Sequence, residues 1–389
     1  MKRKQSIMKK NKNDNKTKKN INKNTENNNK LNTMNGGGNL NFCTYNAVSR
    51  ISGTSKSDKS NKSNKSSKSS KSSKSTATRS STGYSGIKNV GNTCFMNVAI
   101  QMLWSIPEIR KEILELDDKI LSSKKKTPEI IIARYLHDIF NFFKQNKKTN
   151  KYYDNEKRLQ TIRGFYRTFE DNKNTQEDST EFLLKIIFKY FSLNNKFLNI
   201  EKYFKFNSTY KKKCLYNKDY KIKDITNQSY KLELNLHNTR QNNTIGLLIK
   251  YYCDEPVSDD PDDYFNECND KNGNKKGPLK KNIVLDTFSD NLIINLVRNG
   301  FNKNTKKQFK LSDSIKPDNP LQIGSDSFQL KGCICHDGET NSGHYVYLVF
   351  DDKGKPIKYI SDSRVYDIDP KNTDHLKRGY LYYYRKIKK

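Results

Sequence analysis

No stretch of this chain approaches the roughly twenty consecutive apolar residues of a membrane span, and the basic N-terminus lacks the apolar run of a secretory signal. Cysteine is sparse and irregular. The seven residues Cys43, Cys94, Cys214, Cys253, Cys268, Cys333 and Cys335 are odd in number and unevenly spaced. That pattern argues against a disulfide framework and for a reducing intracellular compartment, cytoplasm or nucleus. Acidic residues are heavily outnumbered, with 42 Asp and Glu against 74 Lys and Arg, a formal charge of +32. Core-forming side chains are nearly missing from residues 1–82, where Asn and Lys fill the first 35 positions and a Lys-Ser repeat runs from Ser55 to Ser75. Such a segment cannot bury enough apolar surface to order itself, so residues 1–82 are expected to be a disordered basic tail. Residues 1–85 alone carry 20 basic against 3 acidic side chains. A tail of this kind suits non-specific contact with nucleic acid or an acidic surface through counterion release. The simpler reading is a solvating tail, because no nucleic-acid fold signature accompanies the charge.

Residues 86–101 read GIKNVGNTCFMNVAIQ. Gly91-Asn92-Thr93 is turn chemistry, and from Phe95 the apolar positions Phe95, Val98, Ala99, Met102 and Ile106 follow helical spacing up to Pro107. Cys94 is therefore expected where a tight turn enters a helix, where free amides and the helix dipole favour a thiolate. From this stretch alone a small buried core cysteine is an equal reading. Far downstream, residues 336–350 read HDGETNSGHYVYLVF, a Gly/Ser/Asn turn that delivers His344 to the start of an aromatic and aliphatic strand. A cysteine at a helix start with a distant histidine at a strand start is the layout of a nucleophile and its base.

At these two stretches the chain resembles the ubiquitin-specific cysteine proteases. Residues 86–101 match every fixed position of that family's box G-[LI]-x-N-x-G-N-T-C-[YF]-M-N-x-x-x-Q. His336, Gly338, Gly343, His344 and Tyr345 match its second, H-x-G-x-x-x-x-G-H-Y-x-x-Y, whose last Tyr comes early as Tyr347. The resemblance covers residues 83–389. It implies a papain-like α+β fold, a helical thumb packed on an antiparallel palm sheet with a reduced fingers region. It also implies a thiol protease that cuts after the C-terminal Gly of ubiquitin. Cys94 is then the nucleophile, His344 the base and acid, and Asn89 the oxyanion-stabilising residue. QEDSTEF, containing Asp178 and Glu181, resembles the family's acidic box that holds the basic ubiquitin tail, although first-turn acids also compensate a helix dipole without any function. Gly343 and Tyr345 are expected beside the bound tail, with Gly343 leaving room for the Gly-Gly end. His336 is expected to pack or bond structurally. Relatives carry two C-x-x-C pairs for zinc; this chain has none, so neither a metal nor any other cofactor is expected.

Around these boxes, residues 83–200 read as mainly helical. Thr127-Pro128 opens a helix with Ile131, Tyr135, Leu136, Ile139 and Phe143 on one face. Thr175–Phe191 forms another, with Leu183, Ile186, Ile187 and Tyr190 as its stripe and Thr175 and Asp178 spaced as a capping box. Short alternating runs at Tyr203–Tyr210 and Tyr230–Leu236 suggest strands, and Asp254–Asp263 an acidic loop. Residues 283–298 resemble one central core strand, followed by strands near Phe328–Ile334, Tyr345–Phe350 and Lys358–Ser361 and by the closing GYLYYYR.

The third catalytic position departs from the family, which has Asp or Asn followed by Asp where this chain has Ser361-Asp362. A hairpin centred between Lys353 and Gly354 puts His344 opposite Ser363, with Ser361 on its face and Asp362 pointing away; a one-residue slip reverses this. A carboxylate stabilises an imidazolium better than a hydroxyl does, so chemistry favours Asp362 while alignment favours Ser361. The expectation is that the site uses this pair, with Asp362 carrying the charge directly or through water. Two readings compete with a deubiquitinase. One is a catalytically weak ubiquitin-binding module, and the other a protease for a ubiquitin-like modifier.

Overall fold

The structure, a computed structural model, describes residues 83–389 apart from 148, 168–176, 185–199, 216–222, 237–242, 255–264, 270–275, 278, 303–304, 340–341, 370–373 and 389. The expectations for residues 1–82, Thr175, Ile186, Ile187, Tyr190 and nearly all of the acidic run fall outside the described residues. The helices are α1 (Cys94–Ser105), α2 (Pro107–Leu114), α3 (Asp118–Leu121), α4 (Pro128–Gln145), α5 (Glu156–Arg167), α6 (Ser179–Phe182) and α7 (Ile245–Cys253). The strands of the first half are β1 (Gly86–Ile87), β2 (Tyr152–Tyr153), β3 (Phe206–Cys214), β4 (Ile225–Ser229), β5 (Leu232–Asn235), β6 (Phe265–Asn269), β7 (Lys276–Gly277) and β8 (Leu279–Asp286). Those of the second are β9 (Asn291–Val297), β10 (Asn299–Asn302), β11 (Lys307–Lys310), β12 (Leu321–Ile323), β13 (Asp326–Glu339), β14 (Ser342–Phe350), β15 (Pro356–Ser361), β16 (Arg364–Asp367) and β17 (Gly379–Lys386).

The palm is one sheet in the order β16-β15-β14-β13-β17-β9-β5, with β12 paired to β13. Its strands alternate cleanly between two cores. Tyr345, Tyr347, Val349, Leu381 and Tyr383 face the helical thumb, whereas Val346, Leu348, Phe350, Tyr382 and Tyr384 face α7 and the smaller sheet. A sheet covered on both faces reads as a near-continuous apolar run, which is why HYVYLVF and GYLYYYR look apolar throughout. The sheet is antiparallel, as expected, except that β5 runs parallel to β9. The thumb supplies α1, α2, α4 and α5 to the first core. Every residue of α1 except Ser105 is buried, because the helix lies between the thumb and the sheet rather than on a surface. Trp104 is edge-on to Phe140 and Phe143 at centroid distances of 5.2 and 5.3 Å.

The run 283–298 is not one strand. β8 ends at Asp286, Thr287 takes φ +55°, and β9 begins at Asn291. The first half joins β3 and β4 in the fingers sheet and the second enters the palm. Hydrophobicity continued across the break because both strands have a buried face. In α4 the packed residues are Ile130, Ile132, Ala133, Leu136, Ile139, Phe140 and Phe143, with Ile131 and Tyr135 only half-buried. Cys94, Cys253, Cys333 and Cys335 form no disulfide. Cys214 is disulfide-bonded, a pairing that the irregular spacing of the cysteines does not disclose.

Candidate active site

The loop ahead of α1 is knitted by two side chains. Asn89 Oδ1 accepts from the amides of Gly91 (3.0 Å) and Thr93 (3.2 Å) and from the Thr93 hydroxyl (3.2 Å). Thr93 Oγ1 in turn accepts from the Val90 amide at 3.0 Å. Gly91 and Asn92 take φ of +95° and +51° to turn the chain into the helix, a region that Gly and Asn enter at least cost. Cys94 is the first residue of α1, 2 % exposed, with no acidic residue in the first turn. Cys94 thus stands at the positive end of the α1 dipole.

The segment before this loop is gripped along one face of α1. Asn97, Gln101 and Trp104 stand at helical spacing, and each donates a side-chain N–H to a carbonyl of the extended segment. The acceptors are Ile87 (3.4 Å), Ser85 (2.6 Å) and Gly83 (2.9 Å). Every second carbonyl of residues 83–87 is thereby satisfied from one helix face, which explains polar side chains inside an otherwise buried helix.

The second half of the site comes from β14 and β15. Tyr347 lies opposite Ile360 and Leu348 opposite Tyr359, the register that follows from a hairpin centred between Lys353 and Gly354. Ser361 therefore shares the face of His344, and His344 Nε2 lies 2.8 Å from Ser361 Oγ. Asp362 goes elsewhere. It sits in the β15–β16 turn with φ +49°. Its Oδ2 accepts from Asn89 Nδ2 at 2.9 Å, its Oδ1 from Asn97 Nδ2 at 2.7 Å, and its carbonyl from the Ile87 amide at 2.9 Å. The direct bond from Asp362 to His344 is thus not what the fold brings together, because the left-handed turn swings this carboxylate onto the N-terminal box. Helix α1 lies along β13, β14 and β15. Burial foremost, then Asp178 and Cys94, hold the Tyr345 phenol well above its usual pKa.

Asp178 is the N-cap of α6. Its Oδ1 accepts from the amides of Thr180 (2.7 Å) and Glu181 (3.0 Å), and its Oδ2 accepts from the Tyr380 hydroxyl. Asp178 thus caps α6 itself, while Thr175, its expected partner in a capping box, lies outside the described residues. Glu181 is exposed and accepts from Tyr166 at 3.3 Å. Gly343 has an internal reason to be glycine, because a Cβ would overlap the Asp337 carbonyl and come within 2.6 Å of His336 Nε2. His336 is bound as a structural residue would be. Its Nδ1 accepts from Lys310 Nζ at 2.8 Å, and its ring packs on Tyr345 with centroids 4.3 Å apart. Burial, then the Lys310 charge, push its pKa down to about 4. Asn97, Tyr380 and Lys310 were not singled out from the sequence. A polar Asn inside a buried helix was the visible signal for the first; the other two depend on long-range pairing.

A family model described as ubiquitin carboxyl-terminal hydrolase matches residues 85–384. Human ubiquitin carboxyl-terminal hydrolase 28 is 30% identical over 105 residues, covering 26% of this chain and 10% of that protein. Human ubiquitin carboxyl-terminal hydrolase 5 is 37% identical over 46 residues, 12% of this chain and 5% of that protein. The matches thus span a tenth or less of these relatives' length. The SAGA Ubp8/Sgf11/Sus1/Sgf73 DUB module bound to ubiquitin aldehyde superposes with a TM-score of 0.62 at 18% identity, covering 81% of this chain and 71% of that one. At that identity the likeness is one of fold.

Proposed function

The chain belongs to the ubiquitin carboxyl-terminal hydrolase family, and we propose that it is a cysteine-type deubiquitinase whose nucleophile is Cys94 and whose general base and acid is His344. The observation that carries this reading is that α1, which Cys94 opens, lies along β14, which carries His344. His344, held through Nε2 by Ser361, leaves Nδ1 as the ring nitrogen for the thiol at the start of α1.

In the proposed reaction Cys94 passes its proton to His344 and attacks the carbonyl of ubiquitin's terminal Gly. The tetrahedral adduct collapses to a thioester as His344 protonates the leaving Lys amine, and a water activated by the same ring then releases the carboxylate. The Cys94 amide and the second N–H of Asn89 are the donors proposed for the oxyanion, with the first N–H of Asn89 committed to Asp362. Ser361 is the orienting partner of the ring, and Asp362 acts on the reaction by fixing Asn89. Glu181 is proposed to meet the basic ubiquitin tail, with Asp178, engaged by Tyr380, holding α6 in place. Gly343 and Tyr345 would flank the Gly-Gly end. Residues 83–389 are proposed as the catalytic domain and residues 1–82 as an accessory tail.

The test is labelling with a ubiquitin probe that bears a C-terminal electrophile, alongside probes built on ubiquitin-like modifiers. Covalent capture by Cys94 of the ubiquitin probe alone is the expected result. Capture only of a ubiquitin-like probe would reassign the substrate, and no capture would leave a binding module.

A further inference from the structure

Strand β13 loses one neighbour just where it faces the proposed base. Its pairing with β17 ends at Cys335 opposite Gly379, whereas its pairing with β14 continues to Glu339 opposite Ser342. Among the described residues, the strand from His336 to Gly338 is therefore paired on one side only. Carbonyls alternate in direction along a strand, so those of His336 and Gly338 point to the same, unpaired side. Both accept from Lys310 Nζ, at 3.0 and 2.8 Å, and the ammonium's third bond goes to His336 Nδ1 at 2.8 Å. Lysine can only donate, so Nδ1 is the acceptor and the neutral ring carries its proton on Nε2. One ammonium stands where a strand would otherwise be.

The stretch it holds lies across from the base, with Asp337 opposite His344 and Gly338 opposite Gly343. There is no slack between them, as the closeness of Gly343 to the Asp337 carbonyl and the His336 ring shows. Lys310 ends β11, and the β10–β11 hairpin is itself anchored at its root by Arg298. That guanidinium donates to the carbonyls of Gly379 (2.9 Å), Leu311 (3.1 Å) and Asp313 (2.7 Å).

We propose that Lys310 is a positioning residue for the hydrolytic reaction. Standing in for the missing strand, it locks the His336–Gly338 stretch of β13 and through it the placement of His344 against Cys94. This rests on the reading of Cys94 and His344 as nucleophile and base. The charge states agree with it. Burial and then Arg298 hold the Lys310 ammonium below the usual lysine range. The ring of His336 faces Lys310 from β11, Asp337 on its own strand and His344 on β14, and it stays neutral. The single positive charge of the pair therefore sits on the lysine, aimed at the carbonyls.

The experiment compares the full chain with its Lys310→Met and Lys310→Arg variants. It reads kcat and KM on a fluorogenic ubiquitin C-terminal amide, and the alkylation rate of Cys94 from about pH 5 to 9 by peptide mass spectrometry. In the Met variant kcat should fall about tenfold or more with KM within about threefold, and the Cys94 alkylation profile should move to higher pH, since a loosened imidazole stabilises the thiolate less. Arg can still donate to both carbonyls and should recover much of the loss. A Met variant with wild-type kcat and alkylation profile overturns the inference. So does equal loss in Met and Arg with lowered melting temperatures in both, which would give Lys310 a role in stability alone. An unmodified chain that neither hydrolyses ubiquitin nor shows an activated Cys94 sinks the parent reading and takes this one with it; an active chain indifferent to Lys310 sinks this one alone.

Discussion

At the scale of single residues, the proposed site divides its polar groups between chemistry and position. Cys94→Ala should abolish hydrolysis while leaving ubiquitin binding intact, because the thiol is small beside the binding surface; turnover in the purified variant together with an affinity measurement checks both halves. Ser361 and Asp362 are adjacent yet serve different partners. Ser361→Ala removes only the hydroxyl on His344 Nε2, so turnover should drop about tenfold with folding stability nearly unchanged. Asp362→Ala removes the acceptor for both Asn89 and the buried Asn97. It should cost about 1–3 kcal/mol of stability along with activity, and Asp362→Asn, which keeps one acceptor oxygen, should recover part of both. Paired denaturation curves and hydrolysis assays separate the two residues. An Asp362→Ala chain of wild-type stability would contradict the clamp.

His336 makes a pH prediction at the same scale. Its folded pKa of about 4 lies below the ordinary histidine value, so the unfolded chain takes up a proton first as pH falls. The stability tied to the neutral ring is complete above about pH 6.5 and is lost as pH drops toward about 4. Thermal unfolding of the wild type should therefore decline more steeply over that window than that of His336→Gln, whose side chain does not titrate. Parallel slopes would show that the ring is not held neutral.

At the scale of elements, the site is a junction between β1, the start of α1 and the β15–β16 turn. Gly86 lies so close to that turn that a Cβ would overlap the Ser363 backbone, and the Ile87 amide bonds the Asp362 carbonyl. Gly86→Ala should push β1 off the turn and disturb Asn89 and Asp362 together, lowering the melting temperature and reducing turnover by about tenfold or more. The effect arises away from Cys94, so a normal hydrolysis rate in a folded Gly86→Ala chain would show that the junction does not position the nucleophile. The same logic explains α6, a single turn held by Asp178 to Tyr380 and by Thr180 Oγ1 donating to Asn295 at 3.2 Å. Its place is set by the palm rather than by its own length.

At the scale of the whole molecule, residues 1–85 carry about half of the net charge, +17 (20 basic less 3 acidic) of +32, and none of the groups proposed for the chemistry. The groups proposed for the reaction lie between Asn89 and Asp362, while residues 1–82 contribute basic charge and few core-forming side chains. Removing those residues should change the rate on a minimal ubiquitin substrate by less than about tenfold. A larger loss at moderate salt would make the tail part of the working site.

The chain's two boxes are local objects, and local chemistry made them legible. A Gly-Asn-Thr turn before apolar positions at helical spacing specifies a helix start at Cys94, and alternating aromatic residues after His344 specify a strand. Even the register that puts Ser361 on the His344 face followed from the hairpin, since the turn sets the pairing. Other features depended on partners far away in sequence. Whether 283–298 is one strand or two was set by which sheet each half could pair with, and both halves look alike because each buries a face. The destination of the Asp362 carboxylate required a left-handed turn to meet Asn89 and Asn97, residues more than 250 positions earlier. The role of Lys310 required β17 to stop pairing at Cys335. Hydrogen bonds between distant segments leave no periodic trace in a sequence, so only the tertiary structure could decide them.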